Sequence, residues 1–454
     1  MKRREFIKAA VGAGAATLAA PLAVRADVNE LWNKNRKKVP RSMKDVPSAT
    51  LGADGAVLQP ARTVPVYRTC DVLVVGGGIA GWAAALSAAR AGSKTVLLER
   101  DESLGGLWSN GGVLILLATG YLKDGKYVQT TRGFVDELEK RMLAMGPYAF
   151  TKRGADNRLW HPTADPEALK IALEQMLTEA GCEVLYRCQG VDVVQDGNAV
   201  RGAVVETKGG RLAVLAREVV DATGDGDVIF QAGENYQEYQ HGLGFTYRIA
   251  GFSRADEKAL AAGLRKGLWY GGIEPNPDMR WYGCFGEVTN PFDVAGFSKL
   301  AMKYRAEAFK SAADLRSVPG FESAHLVWTA TQLGARGART LDGVKSIDRA
   351  WAKADRDEGD TVAWMGADGL SPRGSRVPYG CLVPKTVDNL LVAGRCASCA
   401  DDMIDLFRLI APCLVTGQAA GAAAALASQK GLVPRAVPVK EIQRILLKQG
   451  AYLG

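Results

Sequence analysis

Histidine is scarce: three in 454 residues, at positions 161, 241 and 325. No two of them share a spacing that would bring both to one ligand, so no metal site is predicted. The eight cysteines are scattered through a chain too long to need disulfide staples, and only Cys396 and Cys399 stand at a suggestive separation. No repeat of 20 to 50 residues and no low-complexity tract is present, which excludes solenoids and arrays. After the first 26 residues no stretch of ~18 uncharged apolar residues is evident, so no membrane span is expected. Excess charge is also missing from most of the chain. Of the net +8, residues 1–26 carry +4, and residues 27–68 hold eight basic against four acidic side chains. Residues 69–454 are therefore neutral overall, which argues against a nucleic-acid partner.

The N-terminus "MKRREFIKAAVGAGAATLAAPLAVRA" has a basic start, a weakly apolar Ala/Gly-rich middle and small residues before a cleavage point near Ala26. Arg3 and Arg4, followed by Phe6 and Lys8, resemble the twin-arginine export signal. The expected location is the periplasm, reached folded through the twin-arginine translocase. Residues 27–68 are punctuated by Pro40, Pro47, Pro60 and Pro65 and read as a surface arm, with the basic run at 34–44 a solvated face.

Glycine is plentiful, at 52 residues, and one cluster of it carries chemistry. In "CDVLVVGGGIAGWAAALSAARAGSKTVLLER" a short apolar run at 72–75 predicts a strand buried on both faces. Gly81 opens an Ala-rich helix, and "KTVLLE" is a second buried strand, giving a βαβ unit. Gly76 permits the tight turn, Gly78 lets main chain approach a pyrophosphate, and Gly81 lets helix and strand pack. The helix N-terminus offers free N–H groups to the anion. Glu99 at the end of the second strand is placed to accept the ribose hydroxyls. This predicts a dinucleotide and leaves FAD and NAD both open.

Further along, Asp165 caps a predicted helix at 166–180 with Pro166 in its first turn. Segments 199–206 and 212–215 predict an antiparallel hairpin across "TKGG", and "EVVDATGDGD" another buried strand running into a glycine turn. From 232 to 378 the βαβ rhythm stops and aromatics accumulate (Tyr236, Tyr239, Phe245, Tyr247, Trp269, Tyr270, Trp281, Tyr282, Phe285). The fold class expected is α/β: a three-layer Rossmann-like domain from 69–231 and 379–454, with a second α+β cap domain at 232–378.

With "LLER", "GG" at Gly105 and Gly106, "VVDATGDGD", "GARGAR", "NLLVAGRC" and "GQAAGAAAALA" added to the first motif, residues 70–431 resemble the FAD-dependent oxidoreductases of the glutathione-reductase-like superfamily. The broad bacterial family of that name is the nearer likeness. The resemblance implies FAD, with the ADP half held at Gly76, Gly78, Gly81 and Glu99. Ala222, Thr223 and Gly224 would line it from a second strand. Gly394 and Arg395 would lie by the ribityl and pyrophosphate, and a helix entered at Gly417 and Gln418 would point at the flavin pyrimidine. Ile79, Ala80, Arg100, Gly105, Gly106 and Asp225, inside the same motifs, complete the expected cofactor set.

For catalysis the resemblance points to Arg408 and to the pair Arg336 and Arg339, residues able to hold a carboxylate or stabilise developing negative charge. Where relatives often carry His-Glu, this chain has Asp401 and Asp402, which could serve as acid or base if buried. Tyr379 and His161 are further proton-transfer candidates, and Cys396 with Cys399 a candidate dithiol. The expected activity is hydride or two-electron transfer between FAD and a small organic substrate. An exported enzyme has no soluble nicotinamide pool, so a cytochrome, a quinone-linked protein or oxygen is the expected electron partner. Two rival readings remain: a reductase passing electrons to an unsaturated organic acid, and a flavin-bearing electron carrier without its own substrate.

Overall fold

A computed structural model of the protein describes residues 48–151, 161–252, 258, 272–367 and 373–454. Residues 1–26, expected to be an export signal, the basic run at 34–44, Trp269, Tyr270 and the side chain of Phe285 lie outside the described residues. The chain divides into residues 1–61 and 62–454. In the first unit Thr50–Leu51 pairs antiparallel with Val57–Leu58.

The second unit opens with β1 (Val66–Val75), which leads into α1 (Ile79–Arg90) and β2 (Thr95–Leu98). Then come α2 (Pro166–Glu179), β3 (Glu183–Leu185), β4 (Gln189–Asp196), β5 (Ala199–Thr207) and β6 (Gly210–Asp221). The helix cap read from sequence forms as expected: the Asp165 carboxylate accepts the N–H groups of Glu167 and Ala168 at 3.0 and 3.1 Å. Two boundaries differ. β1 begins three residues inside the expected arm, because Val66 already pairs with Ala213. The two strands expected at 212–215 and in "EVVD" are one twelve-residue strand, β6.

The cap supplies β7 (His241–Ala250), β8 (Met279–Thr289), α3 (Val294–Leu315) and β9 (His325–Thr329). Strand β7 pairs antiparallel with β8 and with β9. Its core is separate and draws on 243–335, with Tyr247 and Tyr282 stacked at 5.8 Å and Phe252 edge-on to Phe321 at 5.2 Å. Those aromatics are cap core. The cap is therefore shorter than 232–378: Val362, Met365 and Val377 of a hairpin at its C-terminal side pack into the first core.

The chain returns as β10 (Leu390–Val392) and α4 (Ile410–Lys430). The main sheet runs in the order β3-β2-β1-β6-β5-β4. Strands β3, β2, β1 and β6 are parallel, and β10 adds parallel to the last residues of β6, beyond its antiparallel pairing with β5. Val72, Leu73, Val74 and Val75 are buried, as a strand covered on both faces requires.

Helix α4 corrects one expectation. By length and composition it is apolar enough to cross a membrane, yet its whole apolar window is buried in protein. Its small residues fit it for that place. A Cβ on Gly417 would stand 2.1 Å from the carbonyl oxygen of Ala80, and one on Gly421 2.0 Å from that of Ala84, so α4 and α1 touch backbone to backbone.

A buried ion triad ties the cap to the main domain. The Arg248 guanidinium on β7 donates to Glu274 at 2.9 Å and to the helix-capping Asp165 at 3.0 Å.

Candidate functional site

Strand β1 ends at Val75, and Gly76 turns the chain with φ +103°, a conformation that glycine alone adopts readily. A Cβ on Gly76 would stand 2.5 Å from the Ala222 carbonyl oxygen, and one on Gly81 1.8 Å from that of Gly76. These two glycines let β1, β6 and α1 close on one another. Gly78 is different. Its φ is −61°, and a Cβ there would meet nothing within 4 Å. The side chain missing at Gly78 leaves room in a cleft.

That cleft, open to solvent, spans about 1020 Å³ along the C-terminal edge of the sheet. The sheet order lays out its wall: Glu99 after β2, Gly76 after β1, Ala222 to Gly224 after β6, and Ala393 with Arg395 after β10. A crevice at the carboxyl ends of parallel strands is where open α/β sheets bind ligands.

Glu99 is buried, and its carboxylate accepts the N–H of Gly77 at 2.7 Å and of Asp101 at 2.8 Å. Burial pushes its pKa up, and those two N–H groups pull it back in part. Arg395 donates through Nη2 to Asp225 at 2.6 Å, while its Nη1 is buried without a partner among the described residues. A buried donor left unpaired costs roughly 1–3 kcal/mol.

Open space over Gly78, a carboxylate fixed for hydroxyl groups at Glu99, an unpaired guanidinium N–H at Arg395 and the free N–H end of α1 together fit a dinucleotide. Residues of the expected cofactor set that line the cleft are Gly76, Gly78, Ile79, Ala80, Glu99, Arg100, Gly105, Gly106, Ala222, Thr223, Gly224 and Arg395. The other five do not line it. Gly81 packs α1, Asp225 holds Arg395, and Gly394 turns at φ +75° with its amide on Thr416 Oγ1 at 3.2 Å. The fourth, Gln418, donates to Gln449 at 3.3 Å.

Gly417 and Gln418 are a correction, because α4 starts seven residues earlier, at Ile410, with Pro412 in its first turn where no N–H is needed. Ile410 and Cys413 of that first turn line the cleft, so the helix dipole acts from there.

The proton-transfer candidates are also corrected. Tyr379 is buried and donates to the Pro434 carbonyl at 3.0 Å, away from the cleft. Asp401 and Asp402 are exposed, and Asp402 accepts the Arg349 N–H at 3.2 Å. His161 is exposed as well. Cys396 and Cys399 are buried free thiols, and burial pushes their pKa values up. Arg339 pairs with Asp227 at 3.2 Å and stacks on Phe230 and Phe292 at 4.1 and 4.0 Å, a structural fork outside the cleft wall.

Arg408 does line the cleft; Arg336 does not, though Arg408 is close enough to act on its charge. The wall also contains residues that were not among the sequence candidates, Trp108, Asp227, Gln332 and Cys413 among them. Burial, reinforced by Asp221 and Asp225, pushes the Asp227 carboxyl up to about 6. Gln332 comes from the cap, just after β9, and its Oε1 is buried without a partner among the described residues. Asp227 stood in the quoted "GDGD"; the other three carry no motif.

A profile of the family described as FAD dependent oxidoreductase matches residues 71–246 and 274–446. Over 172 residues the chain is 31% identical to thiamine thiazole synthase of Aeropyrum pernix, covering 35% of this chain and 56% of that protein. Over 137 residues it is 30% identical to vinyl phenol reductase of Lactiplantibacillus plantarum, covering 30% of this chain and 24% of that one. The chain thus spans little more than half of the first of these relatives and about a quarter of the second. The solved structure of p-nitrophenol 4-monooxygenase from Pseudomonas putida is 11% identical with a TM-score of 0.46, covering 84% of this chain and 85% of that one. With the profile spanning both halves of the sheet and its cap, and a cleft fitted to a dinucleotide, the protein belongs to the FAD-dependent oxidoreductase family, and its cofactor is FAD.

Proposed function

We propose that this protein is an exported oxidoreductase that moves two electrons between FAD and a small organic substrate held where the cap meets the cleft, with a cytochrome or quinone-linked protein as electron partner. When bound, FAD supplies the redox chemistry. Glu99 would hold the adenosine ribose, the N-terminal turn of α1 and Arg395 Nη1 the phosphates, and the first turn of α4 would stabilise negative charge by up to ~2 kcal/mol.

The observation that carries the reading is Gln332. A cap residue in the cleft wall, with a buried oxygen that has no partner among the described residues, supports a walled chamber in which a substrate is oriented and water excluded. A bare electron carrier needs no such wall. Thr246 of β7 also donates to the Gly111 carbonyl, and a Cβ on Gly112 would stand 2.4 Å from the Trp328 ring, so cap and cleft loop pack closely. Export is supported by the Arg3–Arg4 motif, and the choice of a non-nicotinamide partner follows from export.

The test is an anaerobic screen on the protein recovered from a periplasmic fraction, following flavin bleaching with alcohols, amines, sugars and organic acids. Reoxidation of the dithionite-reduced protein by unsaturated acids reads the opposite direction. Saturable bleaching or reoxidation supports the proposal. A yellow protein that exchanges electrons only with dyes and cytochromes would return the carrier reading, and retention in the cytoplasm would remove the export step.

A further inference from the structure

Helix α3 of the cap has two apolar faces, and only one of them is covered. Leu300, Tyr304, Ala308, Ala312 and Leu315 are buried in the cap core. On the other side Met302 is 64% exposed and Phe309 66%. A single exposed apolar side chain is ordinary, but these two are aligned. At 3.6 residues per turn they fall, with Ala295, Ala306 and Ala313, in one stripe about 60° wide.

The charges that border the stripe are of one sign. Arg305 and Arg316 stand along one edge and Lys299, Lys303 and Lys310 along the other, all of them exposed. The acids of the helix, Glu307 and Asp314, fall behind the lysines, toward the buried face. They and Glu287 pair with Lys303 and Lys310. Lys299, Arg305 and Arg316 have no carboxylate partner among the described residues. Because residues 69–454 are neutral as a whole, this is a local surplus.

We propose that this face of α3 docks on an anionic phospholipid bilayer: the helix lies flat in the interface, Met302 and Phe309 dip between headgroups and acyl chains, and the bordering arginines and lysines reach the phosphates. The charge pattern selects that occupant. Basic residues on both borders of an apolar stripe match a plane of anionic headgroups. A second copy fits badly, because pairing two such helices sets basic border against basic border. An acidic protein would match the charge but not the stripe. Two long side chains two turns apart, with a single alanine between them on the stripe, offer little continuous surface for a protein to pack on, whereas each can enter the lipid boundary alone.

The test is flotation of the holoprotein with vesicles of phosphatidylglycerol and phosphatidylcholine in equal parts, against phosphatidylcholine alone, at low and at high salt. The basic run at 34–44 attracts the same vesicles by charge, so variants of α3 carry the decision. M302S/F309S is expected to weaken binding to the anionic vesicles at least tenfold with an unchanged Tm, both positions being exposed. K299Q/R305Q should weaken it about 25-fold, at about fivefold for each charge removed near the surface, and added salt should narrow that gap. Vesicle binding by M302S/F309S equal to wild type overturns the proposal; if wild type and that variant are also held alike on immobilised polyglutamate and K299Q/R305Q is not, the face serves an acidic protein instead. A dimer in sedimentation velocity that M302S/F309S abolishes without any effect on flotation overturns it in favour of a second copy. Should the double variant misfold, M302Q alone is expected to lose binding severalfold and decides in its place. None of these readings involves electron transfer, so they stand or fall apart from the function proposed above.

Discussion

Glu218 provides a quantitative test of the sheet interior. It lies on β6 beside Val72 of β1 and is 2% exposed. Its Oε1 accepts from Asn389 Nδ2 at 2.7 Å, and Oε2 has no partner among the described residues. Burial pushes its pKa from 4.5 up to about 8, opposed by Asn389 and Arg201. The folded protein thus keeps the proton to about pH 8, while the unfolded chain releases it near 4.5. Between those values the unfolded state binds fewer protons, so this group's contribution is full below pH 4.5 and falls as pH rises. Each unit of pKa is worth about 1.4 kcal/mol, so the loss approaches about 5 kcal/mol and levels off above pH 8. Glu218→Gln keeps the shape and the acceptor for Asn389 but removes the titration. Urea unfolding of both proteins at saturating FAD, from pH 5 to 9, should show the variant gaining about 1.4 kcal/mol per pH unit relative to wild type until pH 8. Parallel stability profiles would refute the argument that this carboxyl is folded in its neutral form.

The glycines of the first turn should separate by function: Gly78→Val is expected to weaken FAD at least tenfold with the apoprotein's Tm unchanged, because its side chain enters only the cleft. Gly81→Ala should instead destabilise the fold itself, by about 1–3 kcal/mol in urea, since its Cβ runs into the Gly76 carbonyl. Arg248→Met leaves Glu274 buried and unpaired and should cost roughly 3–5 kcal/mol, with Arg248→Met/Glu274→Met recovering much of it; equal losses in both would deny the ion triad its role. Tyr379→Phe should cost about 1 kcal/mol through its bond to Pro434 and leave the rate of substrate-driven flavin reduction unchanged, whereas a tenfold slower rate would restore it to the chemistry.

How much of this was legible in the sequence depended on whether a residue's role is imposed by main-chain geometry. Gly76, Gly81 and the Asp165 cap were readable because only glycine fits a positive φ or a 1.8 Å approach, and because an exposed helix end needs an acceptor. Roles set by tertiary neighbours were not. Tyr379, Asp401 and Asp402 carry proton-transfer chemistry by type, but the C-terminal segment takes up the first and solvent surrounds the other two. Gln332 was invisible, since nothing in its local sequence says that the end of a cap strand reaches the cleft. The Ala-rich pattern of α4 suggests a start at the glycines, whereas Leu409 is its N-cap and Pro412 sits in its first turn.

That difference has a structural consequence that joins the two halves of the site. Gly417 and Gly421 do not face the cofactor; they let α4 lie against Ala80 and Ala84 of α1 at backbone distance. Because both helices are rigid over this length, the seam fixes where their N-terminal turns stand, and both turns line the cleft, through Ile79 and Ala80 on one side and Ile410 and Cys413 on the other. Two positive dipole ends are thereby aimed into one chamber by contacts made one to three turns away from it. Arg408 precedes α4 by two residues and belongs to the same rigid piece, whereas Arg336 and His241 belong to the cap. The cap residue Gln332 meets the cleft on the same side of the molecule as these elements, so the geometry of the chamber depends on helix packing and cap docking together, which no single stretch of sequence contains.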